Sequence, residues 1–132
     1  MRQLELLAPA RNKDIGIAAI DFGADAVYMA GPSFGARQAA GNSIEDIREL
    51  CSHAHRFGAR LFITVNTIVY DSELGSVWEL MKQVQDAGAD ALIVQDLGVM
   101  KMASRGYGGE PGLDRPIHAS TQCSVRDSER AL

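Results

Sequence analysis

Cysteines and long hydrophobic runs are scarce in this sequence. Only two cysteines, Cys51 and Cys123, occur among 132 residues, and they form no close-spaced pair. Neither a zinc site nor a disulfide framework is therefore indicated, and we expect two reduced thiols in a cytoplasmic protein. No stretch approaches the ~20 apolar residues that a membrane span requires, and the charged start does not resemble a signal peptide.

An excess of basic charge is also missing. Lys and Arg number 13 against 17 Asp and Glu, which gives a formal net charge of −4. A chain that binds nucleic acid without specificity normally carries a basic excess, so this segment alone is a poor candidate for that class. The hydrophobic share of 46% is that of an ordinary globular protein. We expect one domain over residues 1–132, long enough to bury a core.

A short pattern recurs three times along the chain. Gly23, Gly58 and Gly88 each follow an apolar stripe of helical spacing and precede a buried apolar run, and they lie 35 and 30 residues apart. Runs that are apolar on both faces favour a parallel sheet covered by helices, with right-handed crossovers. The sequence therefore predicts an α/β fold of repeated βα units.

The same patterns place the individual elements. Strands are predicted at residues 4–8, 26–29, 61–65, 91–94 and 117–119. Helices are predicted at residues 13–22, 44–57, 72–87 and 97–103, with a further helix beginning near residue 127 and a loop at 106–116. The first helix is predicted to bury Ile15, Ala18, Ala19 and Phe22. Ser43 and Asp46 form a capping-box-like start for the second helix, Phe57 completes its buried stripe, and Asp71 is predicted to cap the third.

Two architectures fit these elements: a doubly wound open sheet, or part of a TIM-type barrel. A whole barrel needs roughly 250 residues, so we expect an incomplete barrel, its N-terminal half, in a truncated chain. Such a half-barrel leaves its first and last strands as open edges. We therefore expect the isolated segment to associate as a homodimer.

Polar side chains cluster where the predicted strands end. In either architecture, ligands bind at the carboxyl ends of parallel strands. We take His118 and Asp96 as candidate catalytic residues. The candidate substrate-binding residues are Arg11, Arg37, Asn66, Gln95, Ser120 and Gln122. Arginine forks and amide groups of this kind suit a polar or anionic small molecule.

Each candidate has a structural alternative. Asp96 could be a helix N-cap, Asn66 a turn residue, and His118 a hydrogen-bonded core histidine. The arginines could be plain surface charges. No metal site is predicted, because His53 and His55 lie two residues apart on a helix and so point to nearly opposite sides.

The strand ends also carry family motifs. In order they are ELLAPAR (5–11), GADAVY (23–28), FGAR (34–37), TVNT (64–67), ALIVQDLG (91–98) and HASTQ (118–122). With these motifs the chain resembles the collagenase-like peptidase family, the thirty-second family of peptidases of unassigned catalytic type. The resemblance implies a TIM-type barrel, and either a protease or an enzyme that hydroxylates RNA or a quinone precursor with an iron–sulfur cluster.

Residues 31–37 together with Cys123 look most like the branch that hydroxylates a cytidine in large-subunit ribosomal RNA. That resemblance implies a link to prephenate, a small anionic metabolite, and RNA bound through the missing C-terminal part of the parent protein. It also implies that the cluster cysteines lie beyond Leu132, so we expect no cofactor in this segment and an iron–sulfur cluster in the parent. Three functions stay open: RNA hydroxylase, protease, and a non-catalytic ligand-binding or scaffold module.

Overall fold

The computed structural model describes residues 4–36 and 41–129. Within these residues, five parallel strands form one sheet in the order β1-β2-β3-β4-β5. The strands are β1 Leu7–Pro9, β2 Ala26–Ala30, β3 Arg60–Val65, β4 Ala91–Val94 and β5 Ile117–Ala119. The helices are α1 Lys13–Asp21, α2 Ile44–Arg56, α3 Leu74–Asp86 and α4 Leu97–Arg105, with one-turn 3-10 segments at Asp71–Glu73 and Thr121–Cys123.

The sequential strand order decides between the two architectures. Each connection joins neighbouring strands, so right-handed crossovers place every helix on the same face of the sheet. The main core lies on that face, where strand residues such as Ile63 and Val94 pack with helix residues such as Leu50 and Met81. A doubly wound sheet carries helices on both faces. The predicted half of a TIM-type barrel is therefore confirmed, as an open sheet of five strands.

The other face of the sheet carries no helix in the described chain. We call it the concave face, because it corresponds to the interior of a closed barrel. Ala26, Phe62 and Ala91 form a small separate cluster there, and Tyr28 and Ile93 pack against it. In a closed barrel these side chains would fill the interior. None of the helices in residues 4–36 and 41–129 combines the length and apolar character needed to cross a membrane.

The repeated glycine pattern is confirmed. Gly23, Gly58 and Gly88 directly follow the caps of α1, α2 and α3 and have φ angles of +103°, +69° and +104°. Glycine adopts these angles without the steric penalty that a Cβ atom would impose. The helices α1, α2 and α3 therefore each end in a turn that leads directly into the following strand.

The predicted buried face of α1 is wrong. Gly16 and Ile20 are buried, whereas Ile15 is exposed and Phe22 is 93% exposed. The missing side chain at position 16 explains the difference, because a Cβ there would lie 2.5 Å from a methyl carbon of Leu50. Gly16 of α1 faces α2, and this orientation places Ile15 and Phe22 of the predicted stripe on the solvent side of the helix. Phe57 of the second stripe is likewise exposed.

Three further predictions differ from the structure: the bounds of β1, the cap of α3 and the helix near residue 127. β1 spans Leu7–Pro9 and not residues 4–8. Asp71 does not cap α3; it starts a 3-10 turn in which the carboxylate of Glu73 accepts from the backbone N–H of Tyr70. No helix begins near residue 127 within the described chain, because Ser124 takes a left-handed conformation after the last turn and residues 127–129 form only a bend and turn.

The predicted capping box of α2 is confirmed and gives a first test. The Ser43 hydroxyl accepts from the Asp46 N–H, and the Asp46 carboxylate accepts from the Ser43 N–H and hydroxyl. These hydrogen bonds with Ser43 hold the pKa of Asp46 below its ordinary 3.8. We expect Ser43→Ala to lower the free energy of unfolding by about 1 kcal/mol at neutral pH.

Urea denaturation at several pH values measures this effect. A carboxyl with a lowered folded-state pKa stabilises the fold above its unfolded pKa, and the effect fades as the pH falls through the folded value. The difference in free energy of unfolding between wild type and Ser43→Ala should therefore become smaller below about pH 4. An equal gap at pH 3 and pH 7 would contradict this account of the cap.

Candidate functional site

Most of the predicted site residues lie on the segments that follow the five strands, which we call the C-terminal rim, whereas His118 lies within β5 itself. The rim comprises residues 10–12, 31–36, 66–70, 95–96 and 120–123. Because the strands are parallel, all five segments lie at the same end of the sheet, where the strands finish. Arg37 falls outside the described residues.

Asn42 connects the ends of β1 and β2 at the rim, a role that no sequence pattern predicted. Its side chain is only 3% exposed, and its Nδ2 donates to the carbonyl oxygens of Arg11 (3.1 Å) and Ala30 (2.9 Å). Both N–H bonds of one amide are thus used to fix the ends of β1 and β2. A Gly-Asn-Ser run usually indicates an exposed turn, so no local pattern pointed to this role.

Asn66 and Thr67 join the second and third segments. The Asn66 Oδ1 accepts from the Ala36 N–H at 2.9 Å, and the Thr67 hydroxyl donates to the Phe34 carbonyl at 3.2 Å. Gly35 lets this loop pack tightly, because a Cβ there would lie 2.9 Å from that of Ala30. Asn66 thus contacts a loop distant in sequence, and its role as a turn residue or as a binding residue stays a prediction. Its Nδ2 has no partner among the described residues and can still donate to a ligand.

Asp96 joins the third and fourth segments. Its Oδ1 accepts from the N–H groups of Gly98 (2.7 Å) and Val99 (3.1 Å), which caps α4. Its Oδ2 accepts from the Val69 N–H at 3.3 Å. The N-cap alternative is therefore confirmed. The catalytic role of Asp96 stays a prediction. A substrate would have to compete with three backbone N–H donors for the carboxylate oxygens.

His118 and Ser120 do not form a nucleophile–base pair. The His118 ring is exposed on the concave face, edge-on to Phe62 with centroids 5.0 Å apart, so the core-histidine alternative is wrong. Ser120 is buried, and its hydroxyl accepts from the Gln122 N–H at 3.3 Å. In the described chain no carboxylate or hydroxyl makes a hydrogen bond or ion pair with the His118 ring. A hydrolytic triad is therefore not assembled from these residues.

Three other predicted binding residues have polar side chains that can still bind a ligand. Arg11 and Gln122 are exposed and Gln95 is half-buried. Within residues 4–36 and 41–129, none of the three side chains makes a hydrogen bond or ion pair. One guanidinium and two carboxamides are therefore displayed along the rim. Groups of this kind can orient a polar or anionic small molecule.

The two thiols do not fit an iron–sulfur cluster, which is held by four ligands, usually thiolates. Cys51 lies in the core behind the sheet, where burial raises the pKa of its thiol to about 12. Cys123 lies at the rim, with Sγ 3.4 Å and 3.5 Å from the carbonyl oxygens of Val94 and Gln95. Residues 4–36 and 41–129 contain no group of three or more potential metal ligands.

His53 and His55 bind different carboxylates. His53 Nε2 lies 2.7 Å from an Asp21 oxygen, toward α1, and His55 Nε2 lies 2.9 Å from an Asp90 oxygen, before β4. The two rings thus point to opposite neighbours of α2, as their spacing indicated. They link helices and strands at the end of the sheet remote from the rim.

An open groove of about 450 Å³ lies between the rim residues 32–34 and α3. Its lining includes Phe34, Gly75, Ser76 and Leu80. None of the predicted site residues lines it. The groove therefore adds no support for the predicted binding set.

Comparison with known proteins finds one matching family and several relatives of that family. The sequence profile of peptidase family U32 matches residues 11–132. The 23S rRNA 5-hydroxycytidine C2501 synthase of Escherichia coli is 48% identical over 132 residues, covering 98% of this chain and 18% of that protein. An uncharacterized protease of Methanocaldococcus jannaschii is 38% identical, covering 97% of this chain and 30% of the relative. The tRNA hydroxylation protein P1 of Bacillus subtilis is 33% identical, covering 92% and 28%.

These three relatives are much longer than the chain, which spans under a third of the length of each. The matches to RNA hydroxylases and to a protein named a protease agree with the resemblance carried by the strand-end motifs. That prediction of family is confirmed.

Proposed function

The chain belongs to peptidase family U32, and from that membership we propose that it is part of an RNA-modifying enzyme that hydroxylates a cytidine in ribosomal RNA. The observation that carries the proposal is the 48% identity, over nearly the whole chain, to a protein named for that reaction. A second relative is named for tRNA hydroxylation. Such an enzyme works on ribosomal RNA in the cytoplasm.

Within that enzyme, the rim binds a small anionic metabolite of the prephenate type. Arg11, together with Arg37, supplies the positive charge for a carboxylate. Asn66 Nδ2 and the carboxamides of Gln95 and Gln122 orient the polar groups, next to the exposed ring of His118 on the concave face. Three observations on residues 4–36 and 41–129 support this role: the Arg11 guanidinium has no partner there, the amide groups have none either, and all of them lie at the C-terminal end of the sheet.

Other parts of the enzyme lie outside this chain in the proposal. With a net charge of −4, residues 1–132 do not supply the basic surface that RNA binding needs. An iron–sulfur cluster, which would supply redox chemistry, requires thiolates beyond the two present here.

Ribosomal RNA from a strain that lacks the gene tests the proposed reaction. Mass analysis should show loss of the 5-hydroxycytidine signal, restored by a wild-type copy. A copy with Arg11→Gln should restore less than a copy with Arg48→Gln, since Arg48 pairs with Glu45 on the outer helix α2. An unchanged hydroxycytidine level in the deletion strain would contradict the proposed function.

Metabolite binding is predicted to raise the melting temperature of the chain. A ligand that binds only the folded form stabilises it by about 2.7 kcal/mol at a hundred times its dissociation constant. We expect prephenate to raise the melting temperature of wild type and of Arg48→Gln, and to have much less effect on Arg11→Gln. Thermal-shift measurements with prephenate and simple dicarboxylates make the comparison. An equal response in both variants would remove Arg11 from the site.

A protease is the second candidate, because one relative carries that name. Labelled peptides and gelatin test it, and cleavage that is lost on replacing His118 or Asp96 would favour it. If neither cleavage nor any response to small acids occurs, a non-catalytic module is the better description. We also propose that the chain by itself forms a homodimer.

A further inference from the structure

The second rim segment, residues 31–36, contains a residue in an unfavourable backbone conformation. Phe34 has a φ angle of +58°, in the left-handed region that bulky side chains rarely adopt. Residues keep such a conformation only where the surrounding structure enforces it, and they cluster at ligand sites and switch regions. The contacts that hold Phe34 therefore bear on the function of this segment.

Contacts with the main core and with the third rim segment enforce the conformation. The Phe34 side chain is partly buried against the main core. The Thr67 hydroxyl donates to the Phe34 carbonyl oxygen at 3.2 Å, and Asn66 Oδ1 accepts from the Ala36 N–H at 2.9 Å. Two adjacent residues after β3 thus hold the chain on both sides of the buried Gly35. We call these two hydrogen bonds the loop clamp.

The loop clamp also decides which end of the Asn66 carboxamide is left for a ligand. A backbone N–H donates to the amide oxygen, so the bond from Ala36 uses Oδ1 and leaves the NH2 group. Asn66 is therefore held as a hydrogen-bond donor. The carboxamides of Gln95 and Gln122 make no hydrogen bond within residues 4–36 and 41–129, so either end of these two can turn toward a ligand.

From the loop clamp we infer that Asn66 makes the rim selective for an acceptor-only group, the carboxylate of a small acid, and that Thr67 is a positioning residue for Asn66. This assignment rests on the metabolite site proposed above. An ionised carboxylate accepts hydrogen bonds and donates none, so it matches the fixed NH2 group. Thr67 acts indirectly, because its hydroxyl fixes the Phe34 carbonyl and thereby keeps the Ala36 N–H against Asn66.

The charges of the neighbouring residues favour the same class of ligand. Arg11 lies on the adjacent first rim segment, and its guanidinium has no ion pair within residues 4–36 and 41–129. Ala36 directly precedes Arg37 in the sequence, so the loop clamp fixes the residue to which the second arginine of the proposed site is attached. A carboxylate can pair with a guanidinium and accept from the Asn66 NH2 group at the same time.

Isothermal titration calorimetry with prephenate tests the role of Asn66. Asn66→Asp keeps an oxygen for the Ala36 N–H but presents a carboxylate in place of the NH2 group. We therefore expect the dissociation constant to rise roughly tenfold or more, because two like charges meet. Gln83→Glu makes the same change of charge at an exposed position of α3 and should bind prephenate as wild type does.

Thr67→Val and Thr67→Ser test the positioning role. Valine removes the hydroxyl at nearly constant shape and should raise the dissociation constant about fivefold, whereas serine retains the hydroxyl and should bind nearly as wild type does. Hydrogen exchange of the Ala36 amide, followed by NMR without ligand, provides a second readout. Exchange should be slow in wild type, Asn66→Asp and Thr67→Ser, and faster in Thr67→Val.

Each contrary result has a distinct meaning. Unchanged prephenate binding in Asn66→Asp would show that Asn66 does not contact the ligand. Equal binding and exchange in Thr67→Val and Thr67→Ser would show that the hydroxyl does not position the loop. Either result would overturn the inference and leave the metabolite site standing, whereas no binding by wild type would overturn both. Hydroxycytidine formation is measured separately, so failure of the proposed reaction stays distinguishable.

Discussion

Replacing Asn42 by aspartate should lower the free energy of unfolding by about 3 kcal/mol. The Asn42 amide donates to two carbonyl oxygens from a position that is 3% exposed. An aspartate of the same size offers only acceptor oxygens to those carbonyls, and burial disfavours its charge. Urea denaturation at pH 7 measures the loss directly.

The pH dependence of this variant separates electrostatics from packing. Once protonated, the carboxyl that Asn42→Asp introduces can donate one hydrogen bond, so the variant should recover part of its stability below about pH 4. Asn42→Ala leaves two carbonyls unpaired without adding charge and should lose about 2 kcal/mol at every pH. If Asn42→Asp proves as stable as wild type, Asn42 does not fix the ends of β1 and β2.

Gly106→Ala is expected to destabilise the chain by about 3 kcal/mol or more. Gly106 ends α4 with φ +97°, and a Cβ there would lie 1.9 Å from the carbonyl oxygen of Glu110. Backbone cannot yield as a flexible side chain can, so the loop would have to open. The salt bridge from Lys82 Nζ to the Glu110 carboxylate, at 2.9 Å, would then be displaced.

Gly108→Ala provides the matched control in the same loop. Its φ is +60°, but a Cβ there would meet no atom within 4 Å. Gly108→Ala should therefore lower the free energy of unfolding only by the conformational penalty of a positive φ angle, about 1–2 kcal/mol. Thermal unfolding of both variants compares the two effects. Similar losses in Gly106→Ala and Gly108→Ala would show that the close approach to Glu110 is unimportant.

These contacts also give the Gly-rich loop a structural role that its composition did not reveal. Tyr107 lies against Trp78, with ring centroids 6.3 Å apart, and Lys82 binds Glu110 from the middle of α3. The loop is thus attached to the outer helix layer. The sequence predicted a loop there but could not indicate what it contacts, because both partners lie on α3, far away along the chain.

The repeated units were predictable because they depend on local rules. A helical stripe, a glycine with positive φ and a buried strand recur in the sequence, and β4 and β5 matched their predicted bounds. The face of α1 was not predictable, since it depends on how closely Gly16 approaches Leu50 on another helix. Hydropathy alone favoured the larger side chains of Ile15 and Phe22, which the packing leaves outside.

The candidate site was predictable in part. The motifs at the strand ends identified the rim, and its general chemistry followed from the residue types. Which side chains bind ligand and which bind neighbouring loops depends on contacts between segments far apart in sequence. Asn42 and Asp96 illustrate the difficulty, because each uses its polar atoms to connect two segments.

The consecutive strand order has a consequence for synthesis on the ribosome. In the described sheet, β2 to β5 each pair with the strand translated just before them, so none of these four pairings waits for a strand that is made later. The loop contacts follow the same order: Asn42 reaches back to the first segment, Asn66 to the second, Asp96 to the third and Cys123 to the fourth. Contacts between neighbouring units carry a low entropic cost of closure. The sheet can therefore grow one unit at a time as the chain emerges, with each new strand docking on an edge that is already folded.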